Sequence, residues 1–229
     1  MKKVNLVETL LAALFLGILS VCVNIQTFKS EGSPEQAVAD FYKSNYKYKS
    51  TQVQGGTVGM IVEGEVIFSP YSEYVHALYP EEENAWMEIY YTGEDDDAID
   101  ARINTPRGGI ETKVKRSYPF GHGQELKYVF DRKETVRGEK ASVYKTHYEF
   151  NLAETYGFEE AVKGYIDQEY YISGNKLLQI VTDLTDLREK TNIGNMMSTQ
   201  GCSFEEAKEE SDSNREAVSS KEILEIYQE

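Results

Sequence analysis

Hydrophobic and polar positions divide this chain into four zones. Val4 to Ile25 is a predominantly apolar run whose only charged member is Glu8, led by Lys2 and Lys3; its longest uninterrupted apolar part is Leu10 to Leu19. Lys29-Ser30-Glu31-Gly32 follows as a polar linker. Ser33-Pro34-Glu35-Gln36 then predicts a helix start, with Ser33 as cap and Pro34 at the first helical position. Ala37, Val38, Phe41 and Tyr42 share one face, so this amphipathic helix is expected to run to about Tyr46 and pack on the strands after it. From Gly56 the period becomes two: Val58, Met60 and Val62 alternate, then Val66 and Phe68, with Gly64 read as a bulge or bend. Tyr74–Tyr79, Ala85–Tyr91, the neighbourhood of Ile103, Ile110–Tyr118 and Leu126–Phe130 read as further strands. Hairpins are expected around Arg137-Gly138-Glu139-Lys140 and Ser173-Gly174-Asn175, with a short helix over Thr155–Val162 between them. After Thr182 the pattern turns helical through about Lys190, and Asn192–Gly201 reads as a loop. Ser203 with Glu206, and Ser219 with Glu222, spell capping boxes that predict two short helices.

The fold class expected from this pattern is α+β: an N-terminal hydrophobic helix, then an amphipathic helix on a mainly antiparallel, curved sheet, and a short helical acidic tail. The corresponding boundaries are 1–28 for the leader, 29–32 for the linker, 33–190 for the domain and 191–229 for the tail. A helix followed by a meander on one face resembles, in layout, the LolA-like lipoprotein carriers and the NTF2-like cone. Gly64 followed six residues later by Pro70 is similar to the first strand pair of the LolA-like group. That resemblance implies an extracytoplasmic domain.

The leader admits several readings. Two lysines ahead of an apolar run favour a cytoplasmic N-terminus and export of the chain beyond Asn24. Ser20 and Cys22 fit the small positions of a secretory signal cleaved before Val23. Leu19-Ser20-Val21-Cys22 resembles a lipobox, departing at Val21, where that family has Gly, Ala or Ser; the resemblance implies lipidation of Cys22. Leu6-Val7-Glu8-Thr9-Leu10-Leu11-Ala12 resembles the start of a type IV prepilin, and departs where Lys3 replaces a Gly and Val4 an aromatic or Met. There Glu8 would pair with a neighbouring subunit's amino terminus. An uncleaved anchor is a further reading, since 22 residues of helix just span a bilayer.

Composition narrows the function classes. Thirty-nine acidic against 24 basic residues give a net charge of −15. This opposes binding to nucleic acid and broad adhesion to an anionic membrane. Cys22 and Cys202 are the only cysteines, so a mature domain without Cys22, or lipidated there, rests on a core and not on disulfides. Seventeen tyrosines against one tryptophan suit strand faces and half-wet binding surfaces. The tail, 203–229, carries nine acids and three bases.

Candidate chemistry is sparse. Glu94-Asp95-Asp96-Asp97 with Asp100 is the densest set of oxygen ligands, and Asp95, Asp97 and Asp100 are the candidates for a weak Ca²⁺ site. The run lacks EF-hand spacing and reads more simply as a solvated hairpin tip. Pro80–Ala101 holds nine acids and no bases, whereas Arg102–Lys145 holds eleven bases and five acids. Cross-strand pairing explains this segregation better than a basic stripe for an anionic glycan. His76, His122 and His147 are too scattered to predict a metal. Ser142 and Lys145 spell S-x-x-K, but in a strand an offset of three puts them on opposite faces. No cofactor motif and no other catalytic motif is found. The expectation is a non-enzymatic, membrane-associated extracytoplasmic domain, attached through its N-terminal segment. It would bind a protein partner or a small lipid-like or glycan ligand on a tyrosine-rich concave face. The alternative from another class is a structural subunit of a pilus or pseudopilus.

Overall fold

The computed structural model describes residues 33–80, 85–93, 99–114, 126–151, 163–213 and 219–228. The leader with Glu8, Cys22 and Val23, the expected helix over Thr155–Val162, and His122 lie outside the described residues. So do Asp95 and Asp97.

The helix expected after the linker is α1 (Pro34–Phe41). Ser33 Oγ accepts the Gln36 amide at 3.2 Å and Pro34 opens the first turn. Gln36 does not close the capping box; its side chain donates to Asp40 Oδ1 at 2.6 Å. The strands follow as β1 (Tyr46–Gln54), β2 (Thr57–Ile67), β3 (Tyr71–Leu78), β4 (Trp86–Gly93), β5 (Ile99–Thr105), β6 (Gly108–Val114), β7 (Val129–Val136), β8 (Glu139–Asn151), β9 (Lys163–Ser173) and β10 (Lys176–Asp183). Helices α2 (Thr185–Gln200) and α3 (Phe204–Ser213) and a last strand, β11 (Ser220–Tyr227), complete the described chain.

All strands join one antiparallel sheet in the order β6-β5-β4-β3-β2-β1-β11-β10-β9-β8-β7. Two meanders, β1 to β6 and β7 to β11, meet where β1 pairs with β11, Tyr48 opposite Ile226 and Ser50 opposite Leu224. Alternating burial, clearest in β2, β3, β9 and β11, gives the sheet an inner and an outer face. On the inner face Tyr46, Tyr48, Met60, Val62, Val66, Val75, Ala77, Met87, Ile89, Tyr170, Ile172, Ile180, Leu224 and Ile226 form one core with Ala37, Val38 and Phe41 of α1. Phe41 is 1% exposed and its ring lies 4.3 Å from that of Tyr46. On the opposite face a smaller cluster joins Val136, Ala141, Val143, Tyr171 and Leu178. Arg137, at the β7–β8 turn, fastens it by donating to the carbonyls of Leu178 and Ile226, both at 2.8 Å.

The α+β expectation is corrected. Among the described residues the chain is mainly β, eleven strands against three short helices, although the docking of a helix on a curved antiparallel sheet is as expected. Two local readings account for the difference, and a third, in α2, runs the other way. The helix ends at Phe41, and Tyr46, Tyr48 and Ser50 begin a period-two strand. Asn192–Gly201 continues α2 nearly to Gly201, whose φ of 67° caps it. The tail does not end in a helix: Ser220, Glu222, Leu224 and Ile226 point alternately inward, and β11 sits at the centre of the sheet. Ser219 and Glu222 mimic a capping box, but burial of that alternation between β1 and β10 outweighs local capping. The other box is real: Ser203 N donates to Glu206 Oε2 at 2.8 Å. Gly64 is no bulge; it pairs regularly with Tyr48.

Candidate ligand-binding face

Strand pleating places a row of tyrosines on the inner face. Tyr46 and Tyr48 come from β1, Tyr71 from β3, Tyr91 from β4, Tyr144 from β8 and Tyr170 from β9. Tyr42 (after α1) and Tyr128 (before β7) pack against the same core. The tyrosine-rich face expected from composition therefore exists, but its centre is closed. Burial pushes the hydroxyls of Tyr42, Tyr48 and Tyr170 far above their ordinary pKa. For Tyr48 the nearby Glu73 carboxylate adds to the effect.

Tyr48 shows how this centre is assembled. Its ring lies across Gly64 on the neighbouring strand, where an added Cβ would stand 2.3 Å from the ring carbons. Only glycine leaves room for that crossing. The ring's hydroxyl then reaches Glu73 Oε1 at 2.9 Å, while Tyr71 donates to Oε2 at 2.7 Å. Glu73 is 3% exposed, so these bonds offset part of the cost of burying its carboxyl. A second buried carboxyl, Glu222 of β11, meets Ser50 Oγ at 2.6 Å. Burial holds Glu222 above the usual carboxylate range, with the Ser50 bond pulling the other way. Gln168 adds a third buried polar group; it accepts from Tyr170 at 3.0 Å and donates to Thr182 at 3.2 Å.

Both flanks of the inner face differ from this centre. On the β4–β6 side Tyr91 and Ile103 are half-buried and Ile110 is 51% exposed. On the β7–β8 side Tyr128 and Tyr144 are half-buried and Phe130 is 53% exposed, its ring edge-on to Tyr144 at 5.9 Å. Apolar and aromatic side chains thus stay open on both flanks of the inner face, with tyrosine hydroxyls among them.

The outer face is charged and largely self-paired. Lys47 meets Glu65 at 3.7 Å, Lys113 meets Asp100 at 3.6 Å, and Arg102 approaches Glu111 at 4.0 Å. Arg132 binds Glu169 with both terminal nitrogens, at 3.1 and 3.0 Å, and also contacts Asp131, Glu134 and the Tyr171 hydroxyl. Lys145 joins the same group through Asp131. Among the described residues one ion pair, Asp100–Lys113, joins the acidic stretch to the basic one, whereas Arg132 and Lys145 pair with carboxylates of their own stretch and with Glu169. Ser142 and Lys145 lie on opposite faces of β8, with Ser142 opposite Ile172 and Lys145 opposite Glu169. His147 stacks on Tyr165 and bonds Asp167 through Nδ1 at 2.7 Å, out on the surface.

The Tyr48–Glu73–Tyr71 cluster is hidden in the sequence because β1 begins directly after a strong helix signal. A trace of it exists in Tyr46-Lys47-Tyr48-Lys49-Ser50, an apolar–charged alternation. Glu73, two residues from Val75 on the same face, is the second clue.

No family model matches the chain, and no curated protein does. Among solved structures it is similar to the lipoprotein LppX of Mycobacterium tuberculosis, at 9% identity and a TM-score of 0.42, covering 86% of this chain and 97% of that one. It is also similar to a DUF1329 family protein from Desulfovibrio piger, at 10% identity and a TM-score of 0.29, covering 84% and 88%. At scores this low neither likeness fixes the fold or the ligand.

Proposed function

We propose that this chain is a non-enzymatic, membrane-associated extracytoplasmic domain that holds an amphiphilic ligand on the open flanks of its inner face. The carrying observation is the pair of flanks on either side of α1, with Tyr91, Ile103 and Ile110 on one and Tyr128, Phe130 and Tyr144 on the other. Large apolar side chains left open on a concave face favour a ligand that removes them from water. Tyrosine hydroxyls along the same surface favour a ligand with polar groups as well as an alkyl body, which fits a lipid-like molecule better than a glycan. The leader, Lys2 and Lys3 before the run from Val4 to Ile25, supports export and attachment to the membrane. The net charge of −15 argues against nucleic acid as a partner.

Titration with a fluorescent fatty acid tests the proposal. Saturable binding is expected, and Phe130→Ala combined with Tyr144→Ala should weaken it by about tenfold or more, given roughly 1.5–3 kcal/mol for each large apolar group fully buried. Tyr90→Ala, on the outer face, should leave it unchanged. Non-saturable uptake, or equal loss in both variants, would overturn the proposal.

A further inference from the structure

We propose that β6 is a self-complementary edge, through which two copies of this chain join into one continuous sheet. Among the described residues β6 has a neighbour, β5, on one side only. Its residues from Gly108 to Lys113 are all exposed. An edge of this length invites pairing, and sheets usually guard such edges with proline, a bulge or charges of one sign. β6 contains no proline, pairs with β5 without a register shift, and carries Glu111 and Lys113, of opposite sign, on the same face. Lys113 alone would repel a second copy; Glu111 two residues away removes that protection.

The register is set by side-chain matching. An antiparallel pairing of β6 with its copy, centred on Thr112, sets each Glu111 opposite the other copy's Lys113 and each Ile110 opposite the other copy's Val114. Centred instead on Glu111 or on Lys113, two like charges would face one another, which is destabilising. The Thr112 register also continues what β5 begins. Asp100 is already opposite Lys113, and Arg102 opposite Glu111, so the outer face gains a row of alternating sign: Asp100, Lys113, then Glu111 and Arg102 of the other copy. On the inner face Ile99 is opposite Val114 and Ile103 opposite Ile110. The matching row there is Ile99, Val114, then Ile110 and Ile103 of the other copy, all apolar. The pairing covers Ile110, which is 51% exposed in the single chain.

Thiol cross-linking of the full-length chain in membranes tests this pairing. Thr112→Cys places two thiols across the two-fold axis, and mild oxidation is expected to give a dimer whose disulfide joins the two introduced thiols, located by peptide mass mapping. Glu111→Lys or Lys113→Glu in that background should lower the dimer yield by about tenfold or more. Glu111→Lys together with Lys113→Glu should restore it. These positions are exposed, and unchanged melting of each variant verifies that folding is intact. Absence of that disulfide, a yield indifferent to the single reversals, or failure of the double reversal to restore it would each overturn the proposal. The fatty-acid titration does not depend on the outcome.

Discussion

Among single residues, the inner face is organised by side chains that are expensive to bury. Tyr48 can place its hydroxyl on Glu73 only because Gly64 lets the ring cross the adjacent strand. Glu222 is the more revealing case, being 5% exposed and bonded to Ser50. Folding raises its pKa through burial, so the folded state holds the proton more tightly than the unfolded chain does. The associated stability is complete below the unfolded pKa, about 4.3, and is lost as pH rises through the folded value. Glu222→Gln keeps an acceptor for Ser50 and never ionises. The variant should melt higher than the wild type at pH 7, by about 2–4 °C for each kcal/mol recovered, and level with it near pH 4. Thermal melts at the two pH values measure this; a variant destabilised equally at both would show that the carboxylate itself is required.

Among the elements, β11 decides whether the chain is one sheet or two. It bridges β1, from the start of the domain, and β10, from the second meander. Cleaving the chain before Ser219 would therefore remove a central strand and not a dispensable tail. The truncated protein is expected to lose cooperative unfolding entirely, as read by denaturant melts followed by circular dichroism. A truncated form with a sharp transition and wild-type midpoint would contradict the central placement. The same strand marks how far the fold is legible from sequence. Alternation is regular in β2 and β3, Pro70 marks the turn between them, and Gly138 and Gly174 mark the later hairpins, so these parts are readable locally. β1 and β11 are not, because each follows a stronger local helix signal and gains its preference only from the other, far away in the chain. The candidate binding face suffers likewise: tyrosine content points to it, but which rings are buried and which remain open depends on where α1 lands.

Across the whole molecule, the two faces of the sheet have different roles. The outer face carries exposed cross-strand ion pairs such as Asp100–Lys113 and Arg132–Glu169, which salt screens and which add little to stability. The inner face carries the larger core, with α1 packed on it, and leaves open apolar side chains on its flanks, which the proposed amphiphile would cover. Native mass spectrometry of the protein extracted from membranes in mild detergent is the sharpest test of that division. A substantial fraction should carry one additional lipid-sized mass, released on denaturation. Phe130→Asp, at an exposed position on the β7–β8 flank, should reduce that fraction severalfold without lowering the melting temperature. A bare chain mass from membranes that contain ample lipid, or retention indifferent to Phe130→Asp, would contradict it.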